Sequence, residues 1–494
     1  MIKSKAIEIL RTFDKDEFKR FGKFVSSPYF NENSKLVNLY ALLKKYYPDF
    51  SSRNFNKEYL YARLFDGKKY NDGTMRKLLS GMQSLAEEFL VHSSLDSKNL
   101  FQKKLALLYK FDEKNLVRLF EINMKALNAV YKNPKGFEDD YFKSNFELLI
   151  AELNFNVGKG RGGFDSESVI DNLLKCATHL ICYSLIIIFK LNQDIMVRSL
   201  GYDFDYRDNI AFKFIESIGP EKFINCMEKY TPEFYPVIAI YFNRFMIAAG
   251  FDEDDSYYRK LKELVLSHVD SFTRFEKYNL MLFLENSCDE KITSGKNFST
   301  ELHDLHKKMI ALELLTSEDK DYLSLIGFRK IIRNSLAVGE LKWTKDFVNK
   351  YLGMLPEAFR DNMYYYSQAL IEFTGGAFNK ALENVSKVKL ETYAIKFDMW
   401  AMKLESEFEL GYYEEALYSI DSYKHLLKKD NVSPEWMKER ILIFIGYFNK
   451  VLRFKNENQR FSETDREMLK QEISAAPNLI DRKWLAGKLE KMKT

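Results

Sequence analysis

A chain of 494 residues is long enough for about three conventional domains or for one extended helical array with a continuous core. Its 46% apolar and 30% charged residues exclude a disordered chain, and 21 glycines and 9 prolines fall below the usual shares of about 7% and 5%, which favours helices. With 75 basic against 71 acidic residues the net charge is +4, too near balance for the whole chain to bind a polyanion, so any nucleic-acid role would have to be local.

The first residues carry Lys3, Lys5, Glu8, Arg11 and Asp14, which interrupt any apolar stretch long enough for a secretory leader, so export is not expected. The longest uncharged apolar run, Cys176 to Phe189 between Lys175 and Lys190, has fourteen residues where a membrane span needs about 18. It reads as a buried core helix, with no membrane partner. The four cysteines, Cys176, Cys182, Cys226 and Cys288, are sparse and form no CxxC pair, which fits a reducing, cytoplasmic setting.

Residues 1–96 read as a basic module of five helices. Asp14 and Glu17 stand at capping-box spacing, and Phe18, Phe21 and Val25 supply one apolar face. Ser27 and Pro28 open a turn, after which Leu36, Leu39, Tyr40 and Leu43 share a helix face up to Pro48. Asn56 caps a helix through Phe65, Asp66 and Gly67 close it, and Met75, Leu78, Leu79, Met82, Leu85 and Phe89 mark a longer one. Residues 97–320 continue as a central region of helical hairpins. Their breaks fall at Asn133 to Gly136, Gly158 to Gly163, Gly219-Pro220 and the polar stretch Asn286 to Ser299. Nothing alternates with period two over any length, so no sheet is expected.

Residues 321–494 carry a repeat of about 36 residues. Gly339, Gly376 and Gly411 are its markers, and constant offsets surround them. Eleven residues before each glycine stand Phe328, Tyr365 and Trp400; seven before, Ile332, Ala369 and Leu404; three before, Leu336, Phe373 and Phe408. Two after come Leu341, Phe378 and Tyr413; five after, the small Thr344, Ala381 and Ala416; nine after, Val348, Val385 and Ile420. A helical hairpin explains this: apolar stripes on two helices, a glycine at the reversal, and a small residue where the second helix approaches closely. One hairpin cannot bury both faces, so neighbours must stack into an α-solenoid.

The stretch Glu409 to Leu417, with Trp400 ahead of it, resembles the middle of the tetratricopeptide repeat (TPR), and Thr374 to Leu382 is a second copy. The Gly339 unit is weaker, with Thr344 in the alanine place, and in a fourth unit Trp436 continues the aromatic period while Tyr447 stands at the expected glycine. Ser462 and Asp465 suggest a cap, and Trp484, Leu485 and Leu489 a closing helix. The resemblance covers about 130 residues and implies an all-α, TPR-like scaffold that binds a protein or peptide partner. On that reading Tyr366, Asn379, Lys403 and Tyr412, polar or aromatic positions off the apolar stripe, are the contacts.

Candidate chemistry is thin. Gly158 to Gly163 matches GxGxxG formally, but the preceding segment reads as helix, so a loop is expected rather than an anion site. His303 and His306 have a spacing that could hold a metal, yet no third ligand is evident, and they read as a solvated helix face. Cys176, His179 and Cys182 read as core packing. No nucleophile elbow or triad context accompanies the six histidines, so neither catalysis nor a cofactor or metal is expected. Most of the 30 tyrosines and 41 phenylalanines lie on core stripes, although Tyr364 to Tyr366 cannot all face inward.

Charge provides an alternative. Residues 1–100 hold 18 basic and 12 acidic side chains, an excess of six, so the rest of the chain is slightly acidic. Arg53, Lys57, Arg63, Lys68, Lys69, Arg76 and Lys77 gather around the fourth and fifth helices. That pair loosely resembles the winged-helix part of bacterial activators, which implies nucleic-acid binding with the repeats as sensor. The seven-residue connection Asp66 to Asp72 and the missing wing depart from that pattern.

Overall fold

The computed structural model describes residues 2–52, 55–97, 100–131, 139–157, 167–199, 205–317, 322–390, 392–456, 462–476 and 479–492. Arg53, the Asn133 to Gly136 break and the glycine cluster Gly158 to Gly163 lie outside the described residues. Among the described residues the chain is all-helical, with 24 α-helices, two short 3₁₀ turns and no strand, and helices pack mainly against their neighbours in the chain. It forms two compact units: residues 1–133 with 143–180, and residues 134–142 with 181–494.

In the first unit, α1 (Lys5–Thr12), α2 (Lys15–Val25), α3 (Ser34–Leu43), α4 (Lys57–Leu64) and α5 (Asp72–Ser97) enclose one core. The capping box forms: Asp14 Oδ1 accepts from the Asp16 and Glu17 amides at 2.8 Å, and Glu17 Oε2 accepts from the Asp14 amide at 2.9 Å. That entry fixes the phase of α2, so Phe18, Phe21 and Val25 point inward, where Phe13, Phe21 and Phe89 meet with ring centroids 5.4–5.5 Å apart. Gly22 is needed for contact: a Cβ there would lie 2.4 Å from Tyr40 Oη, and that hydroxyl donates to the Phe18 carbonyl at 2.8 Å. Next come α6 (Leu100–Glu113), α7 (Val117–Tyr131), α8 (Asp139–Val157) and α9 (Glu167–Ser199), with Leu108, Phe120 and Leu148 in a second small core. Phe120 and Phe155 stack at 3.7 Å.

The residues of α8 and α9 are divided between the two units. Cys176, His179 and Cys182 of α9 are buried, as expected, but α9 is not simply a core helix. Its apolar content exceeds what either core covers, leaving Ile170, Leu173, Leu174 and Leu180 exposed in the first unit and Ile181, Leu191 and Val197 in the second. Val169–Arg198 is the one helix among the described residues long and apolar enough to cross a membrane by length and composition.

The second unit continues with α10 (Ile210–Ile218), α11 (Pro220–Tyr230), α12 (Tyr235–Ala248), α13 (Ser256–Ser267), α14 (Arg274–Thr293) and α15 (Ser299–Ala311). Gly219 adopts φ 59° and Pro220 opens α11, the helix stop and start that this dipeptide predicts. The break expected over Asn286 to Ser299 is confined to residues 294–298, because α14 runs on to Thr293 and α15 begins at Ser299. Within α14, buried Lys291 donates to Asp252 at 2.7 Å and to Asp255 at 2.6 Å, clamping the loop before α13.

Three hairpins follow: α16 (Leu325–Ala337) with α17 (Leu341–Tyr351), α18 (Glu357–Thr374) with α19 (Phe378–Lys387), and α20 (Tyr393–Glu409) with α21 (Tyr413–Lys429). Gly339, Gly376 and Gly411 sit at φ 84°, 79° and 78°. After each, the next amide donates back to the helix, Glu340 to Ser335, Ala377 to Glu372 and Tyr412 to Glu407, at 2.8–3.0 Å. The three reversals are thus the same Schellman closure, and left-handed φ is why glycine recurs there. Thr344, Ala381 and Ala416 are fully buried where the second helix approaches the first. At Tyr447 the pattern ends, for α22 (Glu435–Asn456) runs straight through and leaves Trp436 half-exposed. Then α23 (Glu463–Ala475), entered by the Ser462/Asp465 capping box, and α24 (Arg482–Lys491) complete the core, with Leu485 and Leu489 fully buried and Trp484 stacked on Phe448.

Candidate binding surface

The first helices of successive hairpins touch one another, α16 with α18 and α18 with α20, and this seam carries a cluster of charges. Arg329 and Arg333 stand one turn apart on α16 and converge on Asp398 of α20. Arg329 Nε and Nη2 reach the two Asp398 oxygens at 2.5 and 2.7 Å, Arg333 Nη1 lies at 2.6 Å, and the Tyr366 hydroxyl of α18 donates at 2.6 Å. Burial alone would raise the Asp398 carboxyl, but the Arg333 and Arg329 guanidiniums outweigh it and hold it below the usual carboxylate range. The carboxylate in turn raises Arg333, and burial followed by the same charge raises the Tyr366 phenol. Three hairpin helices are therefore joined by one ionised group with four donors.

The cluster extends toward the end of the chain. Arg333 Nη2 is 3.5 Å from Asp481, which precedes α24, and Arg440 of α22 is lowered first by burial and then by the charges of Arg333 and Arg329. On α20 itself Glu405 is buried, its Oε1 has no hydrogen-bond partner among the described residues, and burial followed by the Asp481 charge raises its carboxyl well above the usual range. Glu409 accepts from Trp484 Nε1 at 3.0 Å and pairs with Lys488.

The four residues expected as partner contacts differ in burial. Tyr366 is a correction: it is fully buried and committed to Asp398, whereas Tyr364, two positions earlier and so about 200° round the helix, is the exposed member of its group. Lys403 on α20 is half-exposed, 3.6 Å from Glu407 and 6.0 Å from the Tyr423 ring centre. Asn379 is exposed on α19, the second helix of its hairpin, and Tyr412 is exposed at the reversal into α21. Arg329, Arg333 and Asp398 were missed because each alone looks like an ordinary surface charge. The available signal was that Asp398 falls two residues before Trp400, directly between Phe397 and Met399.

Among the basic residues of the first unit, Lys57 and Arg76 are both taken up by Asp72, whose carboxyl is held down to about 2 by hydrogen bonds from Tyr70, Arg76 and Lys57. Arg63 is exposed with its guanidinium 5.5 Å from the Tyr59 ring, and Lys68, Lys69 and Lys77 are exposed with no acidic partner among the described residues. The connection between α4 and α5 spans residues 65–71, longer than a helix-turn-helix uses.

His303 and His306 overturn the solvated-face reading. They are 2% and 1% exposed, because α15 is covered by α14 on one side and α16 on the other. The His303 ring stands edge-on to Trp343, His306 Nε2 is 3.7 Å from Glu285, and no ring nitrogen of either has a hydrogen-bond partner among the described residues. Burial pushes His303 down. Among the described residues no three His, Cys, Asp or Glu side chains converge as a metal site. Burial also drives the Cys182 and Cys288 thiols up to about 12, the opposite of an activated nucleophile. The clefts among the described residues include one of about 530 Å³ between α7 and α8 beside Phe120 and Phe155, and one of about 320 Å³ beside Phe245 and Phe251. Compared with protein-family models, curated proteins and solved structures, the chain shows no significant match.

Proposed function

We propose that the chain is a non-catalytic helical-repeat scaffold, a TPR-like α-solenoid over residues 321–494 that holds a protein or peptide segment. The observation that carries this reading is the threefold recurrence of one hairpin closure at Gly339, Gly376 and Gly411, with the first helices side by side. Stacked hairpins of that kind present a rigid row of side chains, so a segment ordered on binding meets a surface already in place. The ion cluster at Asp398 supports it by tying three first helices together. The test is capture of a partner from native extract by the full chain, then by a variant carrying Lys403→Glu and Tyr412→Ser. Loss of capture with an unchanged helical spectrum supports the reading, while equal capture removes these positions from the interface.

A second reading draws on Arg63, Lys68, Lys69 and Lys77, the exposed cations that Asp72 leaves available. Here the first unit touches nucleic-acid phosphates and the repeats act as sensor. Phosphate-dominated binding falls steeply with salt, so weak binding indifferent to salt counts against it.

A further inference from the structure

In the first unit the outer face of α2 carries Lys15, Lys19, Arg20 and Lys23, all exposed, opposite the buried Phe18, Phe21 and Val25. Lys15, Lys19 and Lys23 recur at four-residue steps, so they form one row with a spacing of about 6 Å along the helix axis. None of the four cations has a hydrogen bond or ion pair among the described residues. The helix itself gains little from the row. Like charges four residues apart repel, and Lys15 stands in the first turn, where the helix dipole disfavours a cation. Of the two acids on α2, Glu17 is held in the capping box, and Asp16, one turn before Arg20, forms no ion pair with it. The cations run into an aromatic tip. Arg20 stands one turn before Phe24, whose ring stacks on Phe30 at 4.0 Å, and His92 of α5 lies 4.9 Å from Phe30. Phe30 meets Tyr29 edge-on at 4.9 Å, and Tyr29 is 87% exposed, so its ring faces are open to solvent. The turn that carries it is braced: Ser26 Oγ donates to the Gly22 carbonyl and Asn31 Nδ2 to the Val25 carbonyl, both at 2.8 Å, and the Phe30 and Asn31 amides donate to the Ser27 carbonyl at 3.1 and 2.9 Å.

We propose that the outer face of α2 and the Tyr29 turn bind single-stranded nucleic acid, with the cations along its phosphates and Tyr29 stacked on a base. The row of cations without acidic partners selects a polyanion. The open ring selects among polyanions. A duplex keeps its bases stacked inside, and an acidic peptide offers carboxylates but no flat ring, whereas every unpaired base presents a face on which an aromatic side chain can stack. Because the turn is already braced, ordering on binding falls mainly on the strand. This surface lies on α2 and the turn after it, apart in the chain from Arg63, Lys68, Lys69 and Lys77, so it does not rest on the reading that places phosphates at those residues. Nor does it rest on the scaffold reading of residues 321–494.

The experiment is fluorescence anisotropy of the full chain with labelled oligothymidylate and oligouridylate of about 15 nucleotides, from about 50 to about 300 mM salt. Binding of either strand supports the assignment, and the ratio between them reports contact with the 2′-hydroxyl. Lys19→Gln combined with Lys23→Gln removes two phosphate contacts, so the slope of log K against log salt should become shallower by about 1.4. Tyr29→Ala should weaken binding about 5- to 150-fold and leave that slope unchanged. All three side chains are exposed, so both variants should keep the helical spectrum of the natural chain. The proposal is overturned by absence of binding at low salt or by full affinity in both variants. Equal displacement by a duplex, a polyglutamate peptide or phosphatidylserine vesicles overturns it as well. Affinity lost in Lys68→Gln with Lys69→Gln but kept in the α2 and Tyr29 variants moves the phosphates to α4 and α5 and sinks this surface, while leaving the other nucleic-acid reading in place.

Discussion

Replacing Asp398 by asparagine keeps the side-chain shape and exchanges an acceptor oxygen for an NH₂ group turned toward donors. The carboxylate accepts from Arg329 Nε and Nη2, Arg333 Nη1 and the Tyr366 hydroxyl, so at least one of these faces another donor in the variant, and two guanidiniums lose their counter-charge. Removing one partner of a buried ion pair costs about 3–5 kcal/mol. The Arg329 and Arg333 side chains are 23% and 30% exposed, so solvent takes up part of their charge, and the low end, about 3 kcal/mol, is expected. All four tryptophans, Trp343, Trp400, Trp436 and Trp484, lie in the hairpins and their closing helices, so fluorescence during urea unfolding reports this region selectively. With a slope of about 2 kcal/mol per molar, the midpoint falls by about 1.5 M. Tyr366→Phe removes one charge-assisted hydrogen bond and leaves Asp398 three donors, so it should cost about 1.5 kcal/mol. A midpoint shift below about 0.3 M for Asp398→Asn, or a larger loss for Tyr366→Phe, refutes the account of the cluster as the hub of the three helices.

Gly411→Ala and Gly376→Ala each place a Cβ in open space, so only backbone strain is added; about 1–2 kcal/mol of stability should be lost by the same fluorescence assay, and Gly411→Asn should cost less than Gly411→Ala. Gly22→Ala differs in kind, since its Cβ would meet the Tyr40 ring at 2.4–2.6 Å; a loss of about 1–3 kcal/mol is expected by circular dichroism of the urea-unfolded chain, and a neutral result would mean Tyr40 swings out freely. Because burial lowers His303 in the fold, the unfolded chain binds the proton more readily. Its contribution to stability is full above about pH 6.5 and is lost as pH falls toward the depressed folded value, so His303→Phe should reduce the acid sensitivity of the tryptophan-reported transition. Glu405 runs the other way, its raised carboxyl favouring the fold as pH falls, so Glu405→Gln should steepen acid destabilisation over the same range.

The helical class, the capping boxes at Asp14 and Ser462, and the three glycine reversals were legible in the sequence because each is local. A cap is satisfied within four residues, and a left-handed reversal selects glycine whatever surrounds it. The periodic stripe likewise separates inside from outside along one helix, which is why Phe328, Trp400, Leu404 and Ala416 are buried as their offsets predict. What periodicity cannot supply is the covering of a helix's second side. His303 and His306 look like polar residues on an open face until α14 and α16 close over them, and α14 looks interrupted until Asp252 and Asp255 arrive to neutralise Lys291. The continuation of α22 through Tyr447 and the burial of Tyr366 were likewise decided by neighbouring helices. The cluster around Asp398 depends on tertiary structure altogether. Its members come from α16, α18 and α20, up to 69 residues apart, and a charge becomes a buried ion pair only when packing brings the opposite charge to it and removes the water between them.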